Sequence, residues 1–289
     1  MNRIETLSLS ESNDYIINLL SLNKKFMITR VGVGNETNLA FFTDTLQSID
    51  TKMLVSLSNN AGIYNITPDN LLKYTELYIK AIKESNALAT FNNTMIVQQK
   101  HFINNYKLDV LYSRVLEPFY CCLENIKPWT QHLQGKKVLI VNPFVKSFKK
   151  QLKEGFQIFK DPDKKLFMDN QDFVFYKSYN TAAGNSIHKD WEETYDIMCK
   201  DISKLDFDIA LLGCGGYGLP LCNFIYKEMN KSAIYVGGGL QLLFGVMGKR
   251  WDDIQMWMDI IKENDSKFIR PSINEQLPNK QRIEGGCYW

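Results

Sequence analysis

The stretch FDIALLGCGGYGLP, residues 207–220, joins an apolar run to a glycine-rich turn that another apolar segment follows. The stretch SAIYVGGGLQLLFGVMGKRW, residues 232–251, has the same arrangement. Glycine has no Cβ, so it lets backbone N–H groups approach a ligand closely, and a helix that begins after the turn directs its positive end toward an anion. The two turns therefore predict a phosphate or diphosphate site at the ends of two successive strands.

From residue 134 onward, short apolar runs alternate with segments of helical periodicity. The predicted strands cover residues 136–141, 172–177, 207–212 and 232–236, and the predicted helices cover 145–159, 189–205, 219–229 and the residues around Leu240. Regular alternation is typical of parallel strands joined by helices, with ligands at the carboxyl ends of the strands. We therefore predict an α/β fold with a mostly parallel, Rossmann-like sheet flanked by helices.

The N-terminal half, residues 1–133, is less regular. Thr67-Pro68 predicts a helix start, because threonine can cap a helix and proline suits its first turn. The other segments are a short apolar run at 24–29, a segment at 52–62 that fits either a strand or a helix, a strand at 87–91 and a mainly helical stretch at 94–123. No flexible linker separates this half from residues 134–289, so we predict a single compact domain for residues 1–289.

The composition narrows the class of protein. A formal net charge of +2 over 289 residues gives no reason to expect nucleic acid or an anionic membrane as a partner. The six cysteines show no Cys-x-x-Cys spacing, which argues against a structural zinc site. The sequence shows no signal-peptide pattern and no apolar run of about 18 residues that could span a bilayer. We expect a cytoplasmic location with free thiols.

The first turn places Gly213, Gly215 and Gly218 on the spacing of a dinucleotide-binding fingerprint. The next strand ends in Val236-Gly237, where an NAD site would have an acidic residue for the ribose, and this weakens the NAD interpretation. Two interpretations stay open. Either the glycines bind a nucleotide phosphate, or they only permit tight turns and close packing.

Polar residues near the other turns are further candidates. Lys249 and Arg250 fit a phosphate clamp or a solvated helix end. Arg30 and Glu36, in RVGVGNE, fit either a turn that binds a donor substrate or a buried ion pair. His188 could face a cleft or be an ordinary loop residue, and Asp190 could cap the following helix.

The C-terminal tail ends in two aromatic residues, Tyr288 and Trp289. Leaving such side chains in water is unfavourable, so we expect the tail to dock on the body of the protein. The docked tail either only packs against the body or also forms one wall of an acceptor site. Cys287 is expected to be a small buried thiol and not a nucleophile.

Several segments together resemble a family of bacterial and viral proteins from surface-polysaccharide gene clusters. They are LEPFY (116–120), PWTQHLQGKKVLIVNPF (128–144), AGNSIHKDWEETYD (183–196), the two glycine-turn stretches and the closing EGGCYW (284–289). With RVGVGNE (30–36), they are similar to glycosyltransferases of the GT-D fold, a group formerly labelled a domain of unknown function. The resemblance implies a nucleotide-sugar donor, with a UDP-sugar as the expected one, and a cytoplasmic location, in the host cell if the protein is viral.

In that family an Asp-x-Glu element helps to bind a divalent metal and the diphosphate of the donor. Here Gly34 takes the place of the aspartate, so only Arg30 and Glu36 carry over. The use of manganese or magnesium is therefore left open. Without paired carboxylates, cations and backbone dipoles become the expected means of stabilising the leaving diphosphate.

The resulting hypothesis is transfer of a sugar from a nucleotide-sugar to a glycan or polysaccharide acceptor, by a protein that could form homo-oligomers. The candidate general bases are Glu36, His188 and Asp190. The candidate diphosphate-binding residues are Arg30, Gly32, Gly213, Gly215, Gly216, Gly218, Gly237, Gly238, Gly239, Lys249 and Arg250. Two rival classes are another nucleotide-dependent enzyme, such as an NAD oxidoreductase or a methyltransferase, and a non-catalytic glycan-assembly protein.

Overall fold

A computed structural model describes residues 3–22 and 24–289 of the chain. Its strands form one sheet and are all parallel. They are β1 (Met27–Thr29), β2 (Ala87–Thr90), β3 (Asp109–Tyr112), β4 (Lys137–Asn142), β5 (Asp172–Lys177), β6 (Ile209–Leu212) and β7 (Ser232–Tyr235). The order across the sheet is β3-β2-β1-β7-β6-β4-β5. The predicted α/β fold with a parallel, Rossmann-like sheet is confirmed, and the pairing of β1 with β7 brings strands from both halves of the chain into the same sheet.

Helices cover both faces of the sheet. They are α1 (Leu9–Ser21), α2 (Asn35–Asp44), α3 (Lys52–Ser56), α4 (Pro68–Lys83), α5 (Ile96–Tyr106), α6 (Phe119–Leu123), α7 (Val145–Lys153), α8 (Trp191–Ile202), α9 (Gly218–Lys227), α10 (Leu240–Leu243) and α11 (Gln255–Asn264). Short 3-10 turns connect several of them. No helix in the described part of the chain is both long and apolar enough to cross a membrane.

Alternation along the strands divides the core into two parts. Val138 and Ile140 of β4 pack with α1, α6, α7, α10, α11 and the C-terminal tail on what we call the first face. Leu139 and Val141 pack with α2, α4, α5, α8 and α9 on the second face. A strand buried on both faces has apolar residues in sequence without polar alternation, which explains why KKVLIV was recognisable as a strand.

The structure confirms most predicted elements, decides one open alternative and corrects two elements. The segment 94–123 is mainly helical, as predicted, but the unpredicted strand β3 interrupts it after α5 ends at a left-handed Lys107 with a φ of 53°. Residues 52–62 form α3 and then one π-helical turn, Leu57–Ala61, so the helical alternative holds there. The helix predicted over 145–159 ends at Lys153, because Gly155 adopts a φ of 71° and terminates it.

The start of α4 agrees with the prediction from sequence. The side chain of Thr67 accepts a hydrogen bond from the N–H of Asn70, and the Asn70 side chain accepts one from the N–H of Thr67 at 2.8 Å. Pro68 occupies the first turn, where its missing N–H costs nothing. These contacts fix the first turn of the helix that packs against α2 and α9.

Candidate anion-binding site

A large cavity of about 780 Å³ lies at the carboxyl edge of the sheet. A residue shortly after each strand lines it: Arg30, Asn92, Ser113, Pro143, Tyr179, Gly213 and Val236, in chain order. A volume of this size is in the range of pockets that hold small molecules and cofactors. All seven strands therefore contribute to one candidate binding site.

The cavity also coincides with the places where the winding of the sheet reverses. β1 and β7 are neighbours in the sheet. The helix that follows β1, α2, packs on the second face, and the helix that follows β7, α10, packs on the first face. The same reversal separates β4 from β6. Loops diverge at such points and leave a crevice, which is where open parallel sheets bind ligands. Arg30 and the Gly237–Gly239 turn lie at the first reversal, and the Gly213–Gly218 turn lies at the second.

Arg30 is one of four arginines of the described residues that line the cavity. Its Nε is buried and has no hydrogen-bond partner, and its NH1 donates one long bond of 3.4 Å to the carbonyl of Val236. The guanidinium lies 4.8 Å from the ring centre of Phe91 and 5.9 Å from that of Tyr235. No carboxylate of the described residues 3–22 and 24–289 forms an ion pair with it. A guanidinium that lines a cavity and has no ion-pair partner is suited to an anionic ligand.

The turn Gly237–Gly239 passes between two arginines. A Cβ on Gly237, which has a φ of 79°, would lie 2.9 Å from the guanidinium carbon of Arg30. A Cβ on Gly238 would lie 2.8 Å from the ring of Tyr288 and 3.6 Å from a terminal nitrogen of Arg250. The glycines are thus required for close packing of cationic and aromatic side chains on the turn. Packing and ligand binding, which the sequence offered as alternatives, are compatible here.

The Gly213–Gly218 turn is held by polar side chains behind it. The Asn142 side chain donates to the carbonyl of Gly213 at 2.7 Å, and the hydroxyls of Tyr235 and Tyr74 donate to the carbonyls of Gly215 and Gly216 at 3.1 and 3.0 Å. In a trans peptide the N–H points opposite to the C=O. The next two N–H groups, those of residues 216 and 217, are therefore fixed pointing away from the tyrosine hydroxyls.

The two glycine turns also touch each other. A Cβ on Gly213 would lie 2.5 Å from the carbonyl oxygen of Gly237 and 3.1 Å from the side-chain nitrogen of Asn142. Gly218, in contrast, packs against the ring of Tyr235 and does not line the cavity. The third glycine of the fingerprint therefore serves the packing of α9 on β7.

The turn after β1 brings Glu36 into the cavity. The Glu36 carboxylate folds back against Gly32 and Gly34, neither of which has a side chain to exclude it. Burial raises the pKa of Glu36 above its usual value; the charge of Glu284 acts in the same direction, and the charge of Arg30 opposes it. A carboxyl group with a raised pKa in a cleft is suited to proton transfer.

A buried hydrogen-bond network supports this turn. The N–H of Gly32 donates to the Tyr78 hydroxyl at 2.8 Å, and the Thr37 hydroxyl lies 2.9 Å from Tyr78 and donates to the carbonyl of Gly32 at 2.7 Å. Both side chains are almost fully buried. The network fixes the backbone that carries Arg30 and Glu36.

Replacing Tyr78 with phenylalanine is expected to destabilise the fold by about 2 kcal/mol, because a buried N–H then loses its acceptor. Urea unfolding measures the change. Tyr226→Phe is the matched control, since no hydrogen bond of the Tyr226 hydroxyl is found among the described residues and its ring lies at the partly exposed surface, beside Lys25. Equal stability of the Tyr78 variant and the native protein would show that the network does not hold the turn.

The structure separates the predicted site residues into two groups. Those that line the cavity are Arg30, Gly32, Glu36, Gly213, Gly215, Gly216, Gly238, Gly239 and Arg250. Gly237 lies directly behind, under Arg30. Those that it does not bring to the cavity are His188, Asp190, Gly218 and Lys249.

The residues outside the cavity have other contacts. His188 Nδ1 lies 2.9 Å from the Thr194 hydroxyl, and the His188 ring packs edge-on against Tyr179. Asp190 caps α8 by accepting the N–H of Glu193 at 3.0 Å, as the capping interpretation predicted. The Lys249 side chain is exposed, and the backbone N–H of Lys249 binds the carbonyl of Trp289 at 3.0 Å.

The tail docks on the body of the protein, as predicted. Trp289 is buried, packs edge-on against Phe144 and donates its indole N–H to the carbonyl of Glu275 at 2.9 Å. Tyr288 and Trp289 also line the cavity. The tail is therefore a packed segment and one wall of the candidate site.

Sequence reasoning missed many of the polar and charged groups at the site, among them Asn142, Arg114, Glu117 and Glu284. Asn142 ends β4, so a polar residue at the carboxyl end of a predicted strand was an available signal. Glu117 lies against Gly239 and pairs with Arg114 at 3.0 Å. Its position depends on β3, which the sequence did not reveal.

Comparison with known proteins gives no match to a family model, a curated protein or a solved structure. Within residues 3–22 and 24–289, no group of three or more histidine, cysteine, aspartate or glutamate side chains could hold a metal ion.

Proposed function

We propose that the protein transfers a sugar from a nucleotide-sugar to a glycan acceptor and binds the donor diphosphate between Arg30, Arg250 and the two glycine turns. The observation that carries this proposal is the guanidinium of Arg30, which has no ion-pair partner among the described residues. It lies in the cavity where the chain leaves β1 and β7 toward opposite faces of the sheet. Arginine forms planar, bidentate hydrogen bonds that match phosphate oxygens. A diphosphate would supply the anion that the described structure lacks at this point.

This arrangement suits the departure of a nucleoside diphosphate. Cleavage of the bond to the anomeric carbon builds negative charge on the leaving phosphate, and fixed donors stabilise that charge most in an enclosed site. Arg30 and Arg250 supply positive charge from opposite sides of the Gly237–Gly239 turn. The N–H groups of the glycine turns supply further donors.

The rest of the cavity suits a sugar and its acceptor. Both amide side chains and aromatic rings line it. The amides are Asn60, Asn92, Asn93, Asn142 and Asn180, and the rings include Phe91, Tyr112, Tyr179 and Tyr217. Amides bind hydroxyl groups as donor and acceptor, and ring faces pack against apolar surface.

Glu36 is the best placed of the three candidate bases. It lines the cavity near Arg30, whereas His188 and Asp190 do not line it. A general base must come within hydrogen-bond distance of the proton that it removes, so position decides before pKa. Glu36 is therefore assigned the deprotonation of the acceptor hydroxyl.

The pH dependence of transfer tests this role. Because burial raises the pKa of Glu36, the rate is expected to fall with decreasing pH at a value above the ordinary range of a glutamate. Glu36→Gln should lose about 10²-fold to 10⁴-fold in rate and also lose this acidic limb. The variant rate should be measured from pH 4 to 9. An acidic limb that persists in Glu36→Gln would assign the base elsewhere.

The raised pKa has a second consequence, for stability. The folded protein binds the Glu36 proton more tightly than the unfolded chain does, so the free energy of unfolding falls as pH rises from the ordinary pKa to the raised one. Glu36→Gln should remove this dependence.

A thermal-shift panel tests the proposed function. The ligands are UDP, GDP, dTDP and CMP with and without manganese, beside NAD and S-adenosylmethionine. A ligand that binds only the folded state raises the melting midpoint. A nucleoside diphosphate that does so should also be released from its sugar donor in the presence of glycan acceptors. A shift with NAD or S-adenosylmethionine alone would favour the rival enzymes, and no shift at all would favour an assembly protein.

A further inference from the structure

Arg250 and Glu284 form an ion pair inside the candidate site. Both side chains line the cavity, and an Arg250 guanidinium nitrogen donates to the Glu284 carboxylate. The guanidinium also lies 4.5 Å from the ring centre of Tyr288 and donates to Cys287 Sγ at 3.1 Å. The side chains are 35% and 38% exposed, so water and ligands can reach the pair. This carboxylate occupies the position in which an anionic ligand would contact Arg250.

The backbone at Glu284 indicates that this position is maintained against a cost. Glu284 has a φ of 48°, in the left-handed region, where a side chain with a Cβ is strained. Gly285 and Gly286 follow with φ values of 69° and 77°. Glycine adopts these angles freely, so the turn concentrates its strain on the one residue whose carboxylate faces Arg250.

Charge supplies the second argument. Arg30, on the other side of the Gly237–Gly239 turn, has no carboxylate partner in the described residues, whereas Arg250 has one. A diphosphate that binds Arg30 therefore meets a second arginine that is already neutralised. To bind both terminal nitrogens of Arg250 as well, it must displace Glu284, which accepts from one of them.

We propose that Glu284 is a built-in substitute for a phosphate group, which holds Arg250 in the free protein and is displaced when the diphosphate of the ligand binds. The inference rests on the proposed function, because it takes the diphosphate as the ligand. Displacement frees a strained residue of the tail segment that forms one wall of the cavity. Ligand binding is thereby coupled to the position of residues 284–289.

Calorimetric titration of the full chain with inorganic pyrophosphate, UDP and uridine tests the exchange. Glu284→Gln should bind pyrophosphate and UDP more tightly than the native protein by roughly fivefold, the upper end for a partly exposed ion pair. Binding of uridine, which has no phosphate, should not change. In an Arg250→Gln background the effect of Glu284→Gln should vanish, since the competition requires the arginine.

Asp252→Asn is the matched control. Asp252 pairs with Arg270 through two hydrogen bonds of 2.6 and 2.7 Å, close in sequence to Arg250 but outside the cavity. This variant removes an equivalent carboxylate and should leave all three affinities unchanged.

The outcomes separate the two proposals. If the native protein binds UDP and Glu284→Gln binds it equally or more weakly, the exchange is wrong and the proposed function stands. If neither protein binds UDP or pyrophosphate, both are wrong. Tighter binding by Glu284→Gln that persists without Arg250 would show a general loosening of the tail and would also overturn the exchange.

Discussion

Replacing Arg30 with glutamine is expected to abolish measurable binding of a nucleoside diphosphate and to lower any transfer rate by about 10²-fold to 10³-fold, the loss found when one fixed donor to a developing charge is removed. The guanidinium packs against Phe91, Tyr235 and the Gly237–Gly239 turn, so these contacts fix its position in the cavity. Titration with UDP and pyrophosphate and a transfer assay measure the change.

Two variants sharpen this experiment. Arg282→Gln removes one positive charge from an exposed position outside the cavity, so it should keep native binding. Arg30→Lys keeps the charge but loses the planar, bidentate geometry, and it should recover only a small part of the affinity. Full binding by Arg30→Gln would remove the observation on which the proposed function depends.

The stability of Arg30→Gln should not fall together with its activity. Arg30 is half-buried and its Nε is buried without a hydrogen-bond partner among the described residues, which is unfavourable, so Arg30→Gln is expected to unfold at the same or a higher urea concentration than the native protein. Loss of function with unchanged or improved stability is typical of a residue kept for a ligand.

The parallel sheet was predictable because its strands carry a strong signal. Each of β4, β6 and β7 is buried on both faces, so its residues form an uninterrupted apolar run that a glycine, a proline or a polar residue ends. β3 gives no such signal. It has four residues, lies at an edge of the sheet and follows α5 without a glycine or proline, so its helical prediction was wrong.

The site was predictable only in part, for a related reason. Arg30 and the glycine turns follow strands directly, and parallel strands bring their carboxyl ends to a common edge. Glu284 reaches that edge through the tail, and Glu117 reaches it through the turn after β3. Such contacts link residues far apart in sequence, and no local pattern specifies them. His188 lies next to a correctly predicted helix, α8. Its side chain contacts Thr194 and Tyr179 and does not line the cavity.

One buried carboxylate, Glu275, joins the C-terminal tail to the start of α7. Its side chain accepts hydrogen bonds from the N–H groups of Lys146, at 2.7 Å, and Ser147, at 3.2 Å, in the first turn of α7. The hydroxyls of Ser147 and Ser272 also donate to it. A carboxylate at a helix N-terminus is stabilised by the free N–H groups and by the positive end of the helix dipole. The same residue receives the indole N–H of Trp289 at its carbonyl.

Replacing Glu275 with glutamine is therefore expected to lower the free energy of unfolding by about 3 kcal/mol, the scale of a lost charged acceptor with its buried donors left unsatisfied. The amide is nearly the same size, but its NH₂ group would face N–H and O–H donors. Because Glu275 anchors Trp289, the variant should also shift tryptophan emission to longer wavelength and weaken binding of UDP, whose cavity loses a wall. Urea unfolding followed by fluorescence measures both effects. Glu263→Gln, at an exposed position of α11, makes the same change of charge and should leave both unaltered. A Glu275→Gln protein with native stability and emission would mean that the tail is held by its aromatic packing and backbone hydrogen bonds alone.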